Sequence, residues 1–443
     1  MNRDLTKGSV TKSMLLFAVP MILGDLLQQC YNIADTLIVG RVLGSDALAA
    51  VGSAYTLMTF LTSIFLGLSM GAGALFSIQQ GQGNRVGLHS AVSHAFWLLL
   101  SVTLALMALV YACIDPMLRF LQVPGEVWDG LRIYLLIVFA GILATSLYNF
   151  YACLLRALGN SVAPLVFLAV SAVLNIGLDL LLVLVFPMGI AGAALATVAA
   201  QYVSAIGMAL YVRIRRPELR PRFRGIRFDR TMLGEIIHLS SLTCVQQSVM
   251  NFGILMVQGL INSFGSVVMA AFAAAVKIDT LAYLPVQDFG NAYSTFVAQN
   301  FGAGCKERIR RGSRIAMGMS LGFCVAISAL VCLFAAPLMR IFVQAQETAV
   351  IASGVQYLRT EGAFYAGIGC LFLLYGYFRA VKRPGMSVVL TVISLGTRVA
   401  LAYALAAVMG ETGIWLAIPI GWALADAVGL WHIRRDMAKL GNL

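Results

Sequence analysis

Apolar runs of about 20 residues recur along the whole of this 443-residue chain, and they limit its fold more than any other feature. Each run is long enough to cross a bilayer as an α-helix. Only 11% of the residues are charged, against about 25% in a typical soluble domain. The sequence therefore predicts an all-α, polytopic membrane protein without a soluble domain.

Hydropathy divides the chain into twelve spans. The first 13 residues, MNRDLTKGSVTKS, are polar and basic and lead into a full-length span, so we expect no cleavable signal peptide. An even number of spans places both termini on one side of the membrane. The predicted spans cover residues 14–40, 50–80, 89–114, 127–153, 161–186, 190–213, 235–262, 267–299, 313–338, 350–378, 386–409 and 413–434.

The positive charge of the chain, +12 in total, is concentrated in alternate connections between the spans. One set, together with both termini, contains QGQGNRVG, AGCKERIRRGSR and the eight arginines of VRIRRPELRPRFRGIRFDR. The other set is nearly free of positive charge, and Arg41, Arg119, Arg132 and Arg340 are its few exceptions. Because short cytoplasmic loops collect Lys and Arg, we expect both termini and the central arginine stretch to be cytoplasmic. This placement indicates a lipid bilayer as the partner of the positive charge, and no nucleic acid.

The two halves of the chain resemble each other at a fixed offset. YLLIVFAG begins at Tyr134 and YLRTEGAFYAG at Tyr357, while LRALGNS carries Arg156 and FRAVKRPG carries Arg379, so both offsets are 223 residues. Since six is even, two six-helix lobes enter the membrane from the same side, and we expect them to be pseudo-symmetric about an axis along the membrane normal. The predicted domains are an N-lobe over 1–212, a basic cytoplasmic linker over 213–234 and a C-lobe over 235–443.

Five oxygen-bearing side chains lie at similar predicted depth in the N-lobe. Asp35 precedes the outer end of the first span at Gly44 by nine residues, which is about 13 Å along a helix. A carboxylate at this depth is costly and normally faces a cavity or a partner. We therefore predict one cation site with two carboxyl groups, those of Asp35 and Asp179. The site binds either Na⁺ or a proton that the two carboxyl groups share, and Tyr134 lies nearby. Its predicted members are Asp35, Tyr134, Asn175, Asp179 and Thr197, and all but Tyr134 are predicted Na⁺ ligands.

Pro20 lies in the middle of the first predicted span, fifteen residues before Asp35. Proline removes a backbone hydrogen bond and permits a kink. Two interpretations remain open: a static kink, or a bend that moves Asp35 when its charge changes.

The C-lobe does not repeat this cluster. The stretch that matches the region around Asp35 contains no acidic residue, and Gln258 is its only polar candidate. At the 223 offset, the positions equivalent to Asn175, Asp179 and Thr197 are Arg398, Ala402 and, one residue further along, Gly421.

The C-lobe has intramembrane charges of its own, which support two interpretations. In the first, Lys277, Asp279, Glu361 and Arg398 neutralise one another as a structural network. In the second, acidic side chains meet a cationic substrate, because intramembrane ionisable groups mark substrate and ion pathways. The predicted substrate-cleft residues are Asp279, Asp288, Glu361 and Gln258.

The chain resembles the MATE (multidrug and toxic compound extrusion) family, especially its MepA-like and DinF-like bacterial branch. The resemblance is carried by YNIADTLIVGRVLGSDALAAVG, VLNIGLDLLLVLVFPMGIAGAALATVAAQ, LRALGNS and VAQNFGAG, and it extends over essentially the full length. It implies two six-helix lobes that form a V, and export of cationic, amphipathic compounds driven by entry of Na⁺ or H⁺. Asp35, Tyr134, Asn175, Asp179 and Thr197 match the family's N-lobe cation site, and Pro20 matches its first-helix proline.

Together these features predict a monomeric, alternating-access antiporter of a bacterial plasma (inner) membrane that exports organic cations and uses no cofactor. The first alternative is a flippase for lipid-linked sugars, whose cavity should be strongly cationic; here Arg398 and Lys277 have acidic neighbours. The second is an intramembrane enzyme, although the sequence contains no HExxH motif and no Ser/His pair at a common depth. The third is a channel.

Overall fold

A computed structural model of the protein describes residues 3–120, 125–221 and 228–441. Within these ranges the chain is almost entirely α-helical and has no strand. The helices of the first half are Val10–Leu43 (α1), Ser45–Gly81 (α2), Arg85–Ala112 (α3), Ile114–Phe120 (α4), Gly125–Ala140 (α5), Ile142–Ala157 (α6), Val162–Asp179 (α7) and Gly189–Arg215 (α8). Those of the second half are Arg230–Ser263 (α9), Ser266–Gly302 (α10), Lys306–Leu333 (α11), Ala335–Phe342 (α12), Thr348–Gly362 (α13), Tyr365–Ala380 (α14), Pro384–Met409 (α15) and Glu411–Gly441 (α16).

The described residues contain ten helices that are long and apolar enough to cross a membrane. Two further pairs meet the same test jointly: Trp128–Ala140 with Ile142–Ala157, bent by 41°, and Thr348–Gly362 with Tyr365–Ala380, bent by 51°. Counting each pair as one span gives twelve, the predicted number.

The fourth and tenth spans, predicted over 127–153 and 350–378, each consist of two helices with a break between them. The fourth breaks at Gly141, and the tenth breaks between Gly362 and Tyr365. Glycine is a poor helix former, and the site of a Cβ at Gly141 is already taken by the Gln201 side chain. The break therefore lies at a residue of low helix propensity that packs closely against Gln201 of α8.

The order and the lengths of the helices repeat between the two halves. Helices α1 and α9 each have 34 residues, α2 and α10 each have 37, and α3 and α11 each have 28. A short helix and a bent pair follow in both halves. The internal repeat predicted from the sequence is therefore present in the secondary structure.

By its contacts the chain forms two compact units. Residues 222–227 of the predicted linker, and residues 1, 2, 442 and 443 at the ends of the predicted lobes, lie outside the described residues. The domain boundaries at 212 and 235 remain predictions. Unit 1 comprises residues 1–4 and 19–244, and unit 2 comprises residues 5–18 and 245–443.

Unit 1 is built around helices that carry the candidate cation site. Helix α8 packs against α5, α6 and α7, and α2 packs against α5 and α6. One apolar cluster includes Phe65, Leu135, Phe139 and Val183, all almost fully buried. Burial of such side chains among facing helices holds the polar positions of α5, α7 and α8 in fixed register.

Helix α1 continues through Pro20 without a break, from Val10 to Leu43. The first residues of α1, up to Ala18, belong to unit 2, and the rest of α1, from Val19 to Leu43, belongs to unit 1. Pro20 thus stands next to the position where α1 passes from one unit to the other. Its role in bending remains a prediction.

Arg132, one of the arginines outside the predicted cytoplasmic set, is paired. Its Nε donates a hydrogen bond to Asp115 Oδ1 at 2.8 Å. This bond lowers the pKa of the Asp115 carboxyl. The charge of Arg132 is thus offset by a carboxyl group.

Candidate functional site

Four helices of unit 1 bring the predicted cation-site residues together. Helix α1 carries Asp35, α5 carries Tyr134, α7 carries Asn175 and Asp179, and α8 carries Thr197. Asn175 precedes Asp179 by four residues, so both project from one face of α7. The structure places all five predicted residues in the same polar region, as the next contacts show.

The two carboxyl groups are direct neighbours. Asp179 is fully buried, Asp35 is half-buried, and the two side chains lie within reach of a shared hydrogen bond when one of them carries a proton. Tyr134, which is 7% exposed, lies close enough to both carboxyl groups for their charges to act on its hydroxyl group. Two carboxylates at this distance repel each other in a medium of low dielectric, so a cation or a proton between them is strongly favoured.

Asn175 and Thr197 extend the site toward α8. Asn175 Nδ2 donates to Thr197 Oγ1 at 3.4 Å, and Thr197 Oγ1 donates to the Ala193 carbonyl at 3.1 Å. Asn175 is 2% exposed. The side chains of Asn175 and Thr197 are therefore linked to each other within the site.

Several buried oxygens of this site accept no hydrogen bond from the described residues. They are Asp35 Oδ1, Asn175 Oδ1 and both carboxyl oxygens of Asp179. A buried polar atom without a partner is costly, and carboxylate and amide oxygens are the ligands of hard cations. The donor set therefore fits Na⁺ or a shared proton. No group of three or more His, Cys, Asp or Glu side chains suited to a metal ion occurs among the described residues.

A π-helical segment, Leu180–Val185, follows Asp179 directly. The amide of Phe186, the residue that follows the segment, donates to the Leu181 carbonyl at 3.0 Å, five residues back along the chain. Such segments are rare and often occur at functional sites, because the wider turn changes the direction of neighbouring side chains. Sequence reasoning missed this feature, since the apolar run LLLVLV carries no signal that distinguishes a π-turn from an α-turn.

Unit 2 contains a second polar group, and its members are in part those predicted for the substrate cleft. Asp279 of α10 and Glu361 of α13 are adjacent and almost completely buried. Tyr357 donates its hydroxyl hydrogen to Asp279 Oδ2 at 3.5 Å, and the charge of Arg398 acts on both carboxyl groups. The structure thus brings together three of the four residues of the predicted neutralising network. Tyr357 and Tyr365 also belong to this group, although the sequence reasoning did not include them.

The other predicted C-lobe residues lie elsewhere in unit 2. Lys277 is exposed, lies 6.0 Å from the centroid of the Phe342 ring and forms no ion pair with a described residue. Gln258 Nε2 donates to Asn262 Oδ1 at 2.9 Å on its own helix. Asp288 is buried on α10, with 3% of its surface exposed. A common substrate cleft for Asp279, Asp288, Glu361 and Gln258 remains a prediction.

Comparison with known proteins agrees with this architecture. The family model MatE matches residues 20–181 and 242–404, one segment in each half of the chain. The chain is 31% identical to the probable multidrug resistance protein YpnP of Bacillus subtilis, over 99% of this chain and 98% of that protein. It is 23% identical to the multidrug export protein MepA of Staphylococcus aureus, over 97% of this chain and 95% of that protein.

A solved structure has the same fold. It is the outward-facing conformation of a multidrug resistance MATE family transporter of the MOP superfamily, with a TM-score of 0.93 and 23% identity, and 98% of each chain is covered. The two relatives carry multidrug names, and this structural neighbour is a MATE family transporter. The matched family model, the curated relatives and the fold agree on one assignment: the chain is a multi-pass membrane protein that belongs to the MATE family of multidrug efflux transporters.

Proposed function

We propose that the protein is an antiporter that exports amphipathic, mostly cationic organic compounds and is driven by entry of Na⁺ or H⁺. The observation that carries this proposal is the adjacent pair of Asp35, which is half-buried, and Asp179, which is fully buried, with Asn175, Thr197 and Tyr134 around them. A buried carboxyl pair binds and releases a cation or a proton with a large change in local charge. A coupling site requires this property.

The pair acts by setting which conformation is favoured. With the coupling ion bound, Asp35 and Asp179 no longer repel each other, and α1 packs against α7 at low electrostatic cost. With the ion released, the repulsion returns and favours an arrangement that separates the two carboxyl groups. A ligand shifts such an equilibrium only by its different affinity for the two states, so the coupling ion and the exported compound bind different states under alternating access.

The substrate and the cellular setting follow from the same considerations. Relatives named as multidrug resistance proteins support organic compounds as cargo. The alternation of connections rich and poor in Lys and Arg supports cytoplasmic termini in a bacterial plasma membrane. Because each cation-site residue comes from unit 1 of a single chain, a monomer is sufficient for the proposed coupling.

A lipid-linked oligosaccharide flippase is not favoured. The matched family model is MatE, and the relatives named above are multidrug proteins. Arg398, which would contribute to a cationic cavity, lies beside Asp279 and Glu361. Its charge is therefore largely offset by carboxyl groups.

Transport by purified protein in liposomes tests the proposal. Ethidium efflux is measured under an imposed Na⁺ gradient at equal pH, and under an imposed pH gradient without Na⁺. We expect one of the two gradients to drive efflux by the wild type, and neither to drive it in Asp35→Asn or Asp179→Asn. Asp129→Asn is the matched control, because Asp129 is an exposed aspartate on α5. Gradient-driven efflux that persists in both site variants would contradict the coupling role, and ion flux without any exported compound would identify a channel.

A further inference from the structure

The internal repeat aligns the two polar groups of the molecule, one in each unit. At the 223-residue offset, Tyr134 corresponds to Tyr357, and Asn175 corresponds to Arg398. In unit 1, Tyr134 lies beside the Asp35–Asp179 pair. In unit 2, Tyr357 donates to Asp279, and Arg398 acts on Asp279 and Glu361. Equivalent positions thus face a carboxyl pair in both units.

The unit 2 group encloses its carboxyl pair completely. Asp279 is 4% exposed and Glu361 is 3% exposed, while Tyr357 and Tyr365 are almost fully buried. Trp415 packs edge-on against the Tyr357 ring, with the centroids 4.9 Å apart, and closes one side. The ionisable side chains of the group are Asp279, Tyr283, Tyr357, Glu361, Tyr365 and Arg398.

The charge of this group differs from that of the unit 1 site by one. Unit 1 places two carboxyl groups together without a basic side chain among the five site residues. Unit 2 places two carboxyl groups together with one guanidinium, which forms no direct ion pair with a described residue and acts on both carboxyl groups through space. A fixed positive charge at this distance lowers the affinity of the pair for a second cation.

Unit 2 also lacks three of the ligands predicted for the unit 1 site. The amide of Asn175 is replaced by Arg398, and the carboxylate of Asp179 by the fully buried Ala402. Gly421 stands near the position equivalent to Thr197, and a Cβ there would collide with the Ser394 carbonyl of α15. A threonine hydroxyl therefore has no room at this point of unit 2.

We propose that Arg398 is a built-in positive charge that takes the place of the coupling ion in unit 2, so that the Asp279–Glu361 pair binds no exchangeable cation. It follows that the unit 2 group carries a permanent counter-charge of its own, where the coupling site of unit 1 binds its ion, and that Arg398 excludes a second ion. The comparison with unit 1 rests on the proposed function, whereas the charge balance within unit 2 has a test of its own.

Removal of the arginine charge should create a cation site in unit 2. The test uses the full chain with Asp35→Asn and Asp179→Asn, which silences the unit 1 pair, and compares it with the same chain carrying Arg398→Asn, the residue present at the equivalent position of unit 1. Binding of radiolabelled Na⁺ is measured on purified protein, and proton uptake is measured on acidification without Na⁺. We expect Arg398→Asn to add about one bound cation per chain, since a pair of carboxylates without a counter-charge favours one cation.

The identity of the added cation distinguishes two forms of the same result. Na⁺ binding identifies a hard-cation site, and proton uptake without Na⁺ binding identifies a shared proton. Either result supports the proposal, and the absence of both overturns it. If the Asp35→Asn/Asp179→Asn chain binds as many cations as the wild type, the proposed function fails. The number of cations that Arg398→Asn adds to that chain still decides the present inference.

Two further variants separate charge from packing. Arg398→Lys keeps the positive charge and should add no cation. Arg398→Asn with Glu361→Gln removes one charge of each sign, and it should also add none.

If Arg398→Asn alone lowers the yield of folded protein, recovery of that yield by Glu361→Gln supports the charge balance, and no recovery overturns it. In folded Arg398→Asn, a saturating cation should raise the melting temperature by about 2 °C or more.

Discussion

At the scale of single residues, the molecule concentrates unsatisfied oxygen atoms at one place in unit 1. Asp179 has both carboxyl oxygens buried without a hydrogen bond from the described residues, and its nearest charged neighbour is another carboxyl group. Such an arrangement costs stability and is retained where a function requires it. We therefore expect substitutions here to affect coupling more strongly than folding.

Thr197→Ala should weaken binding of the coupling ion. The substitution removes the oxygen that accepts from Asn175 Nδ2 at 3.4 Å, so the Asn175 amide loses its orientation. A loss of about 1 kcal/mol corresponds to roughly a fivefold higher ion concentration for half-maximal transport. Thr197→Ser keeps the oxygen and should behave nearly as the wild type. Equal losses in both variants would show that the threonine methyl group, and not its oxygen, is important.

At the scale of secondary-structure elements, close approach of helices depends on single glycines. Gly67 and Gly71 are one turn apart on α2 and face the backbone of α9 around Ser240 and Cys244. Ser240 Oγ donates to the Leu68 carbonyl at 2.9 Å across this contact. Small residues four apart allow membrane helices to approach closely, so this glycine pair sets the distance between α2 and α9.

Gly71→Ala should destabilise the protein. A Cβ at this position would lie 2.5 Å from the Leu239 carbonyl oxygen and the Ser240 Cα, which are backbone atoms that cannot turn aside. Overpacking of this kind costs about 1–3 kcal/mol and should lower the melting temperature in detergent. Gly234→Ala on α9 is the control, because a Cβ there meets no atom within 4 Å. A melting temperature of Gly71→Ala equal to that of the control would refute the close contact.

Pro20→Ala should change the motion of α1 rather than the ion site. Alanine restores the backbone donor that proline lacks and removes a helix-interior penalty of about 3 kcal/mol, so α1 becomes stiffer. We expect slower gradient-driven efflux with unchanged equilibrium binding of the coupling ion, measured in the same liposomes. Pro164→Ala is a suitable control, because Pro164 lies in the first turn of α7, where proline is tolerated. Unchanged efflux rates in Pro20→Ala would leave Pro20 with a static role.

At the scale of the whole molecule, sidedness follows from charge. The connection at Gln82 belongs to the basic set and the connection at Pro187 to the set that is poor in positive charge, and both residues are exposed. The positive-inside rule assigns the first to the cytoplasm and the second to the outside. The Arg132–Asp115 pair supports this assignment, because it offsets an arginine on the side that should be poor in positive charge.

Single cysteines should report this sidedness directly. In a chain without its eight native cysteines, Pro187→Cys should react with a membrane-impermeant maleimide in intact cells. Gln82→Cys should react only after the membrane is opened. The reverse pattern would invert the predicted topology and would place both termini outside.

Much of this organisation can be read from the chain alone. The number of spans, the two-fold repeat, the family and the positions of Asp35, Asn175 and Asp179 are all visible, because membrane thickness imposes a length on each span and lipid penalises each charge within it. These are local properties of a helix in a bilayer. They do not depend on which helices become neighbours.

Only the tertiary structure decided the contacts between distant segments. The π-turn after Asp179 is seen only in the structure. The break at Gly141 lies against Gln201 of α8, and the inclusion of Tyr357 and Tyr365 in the unit 2 group results from packing between helices far apart in sequence. The separation of Lys277 from Asp279 and Glu361 has the same origin, since a helical rotation of two residues turns a side chain to the opposite side. Hydropathy sets the depth of a residue in the membrane, whereas packing sets the direction in which its side chain points.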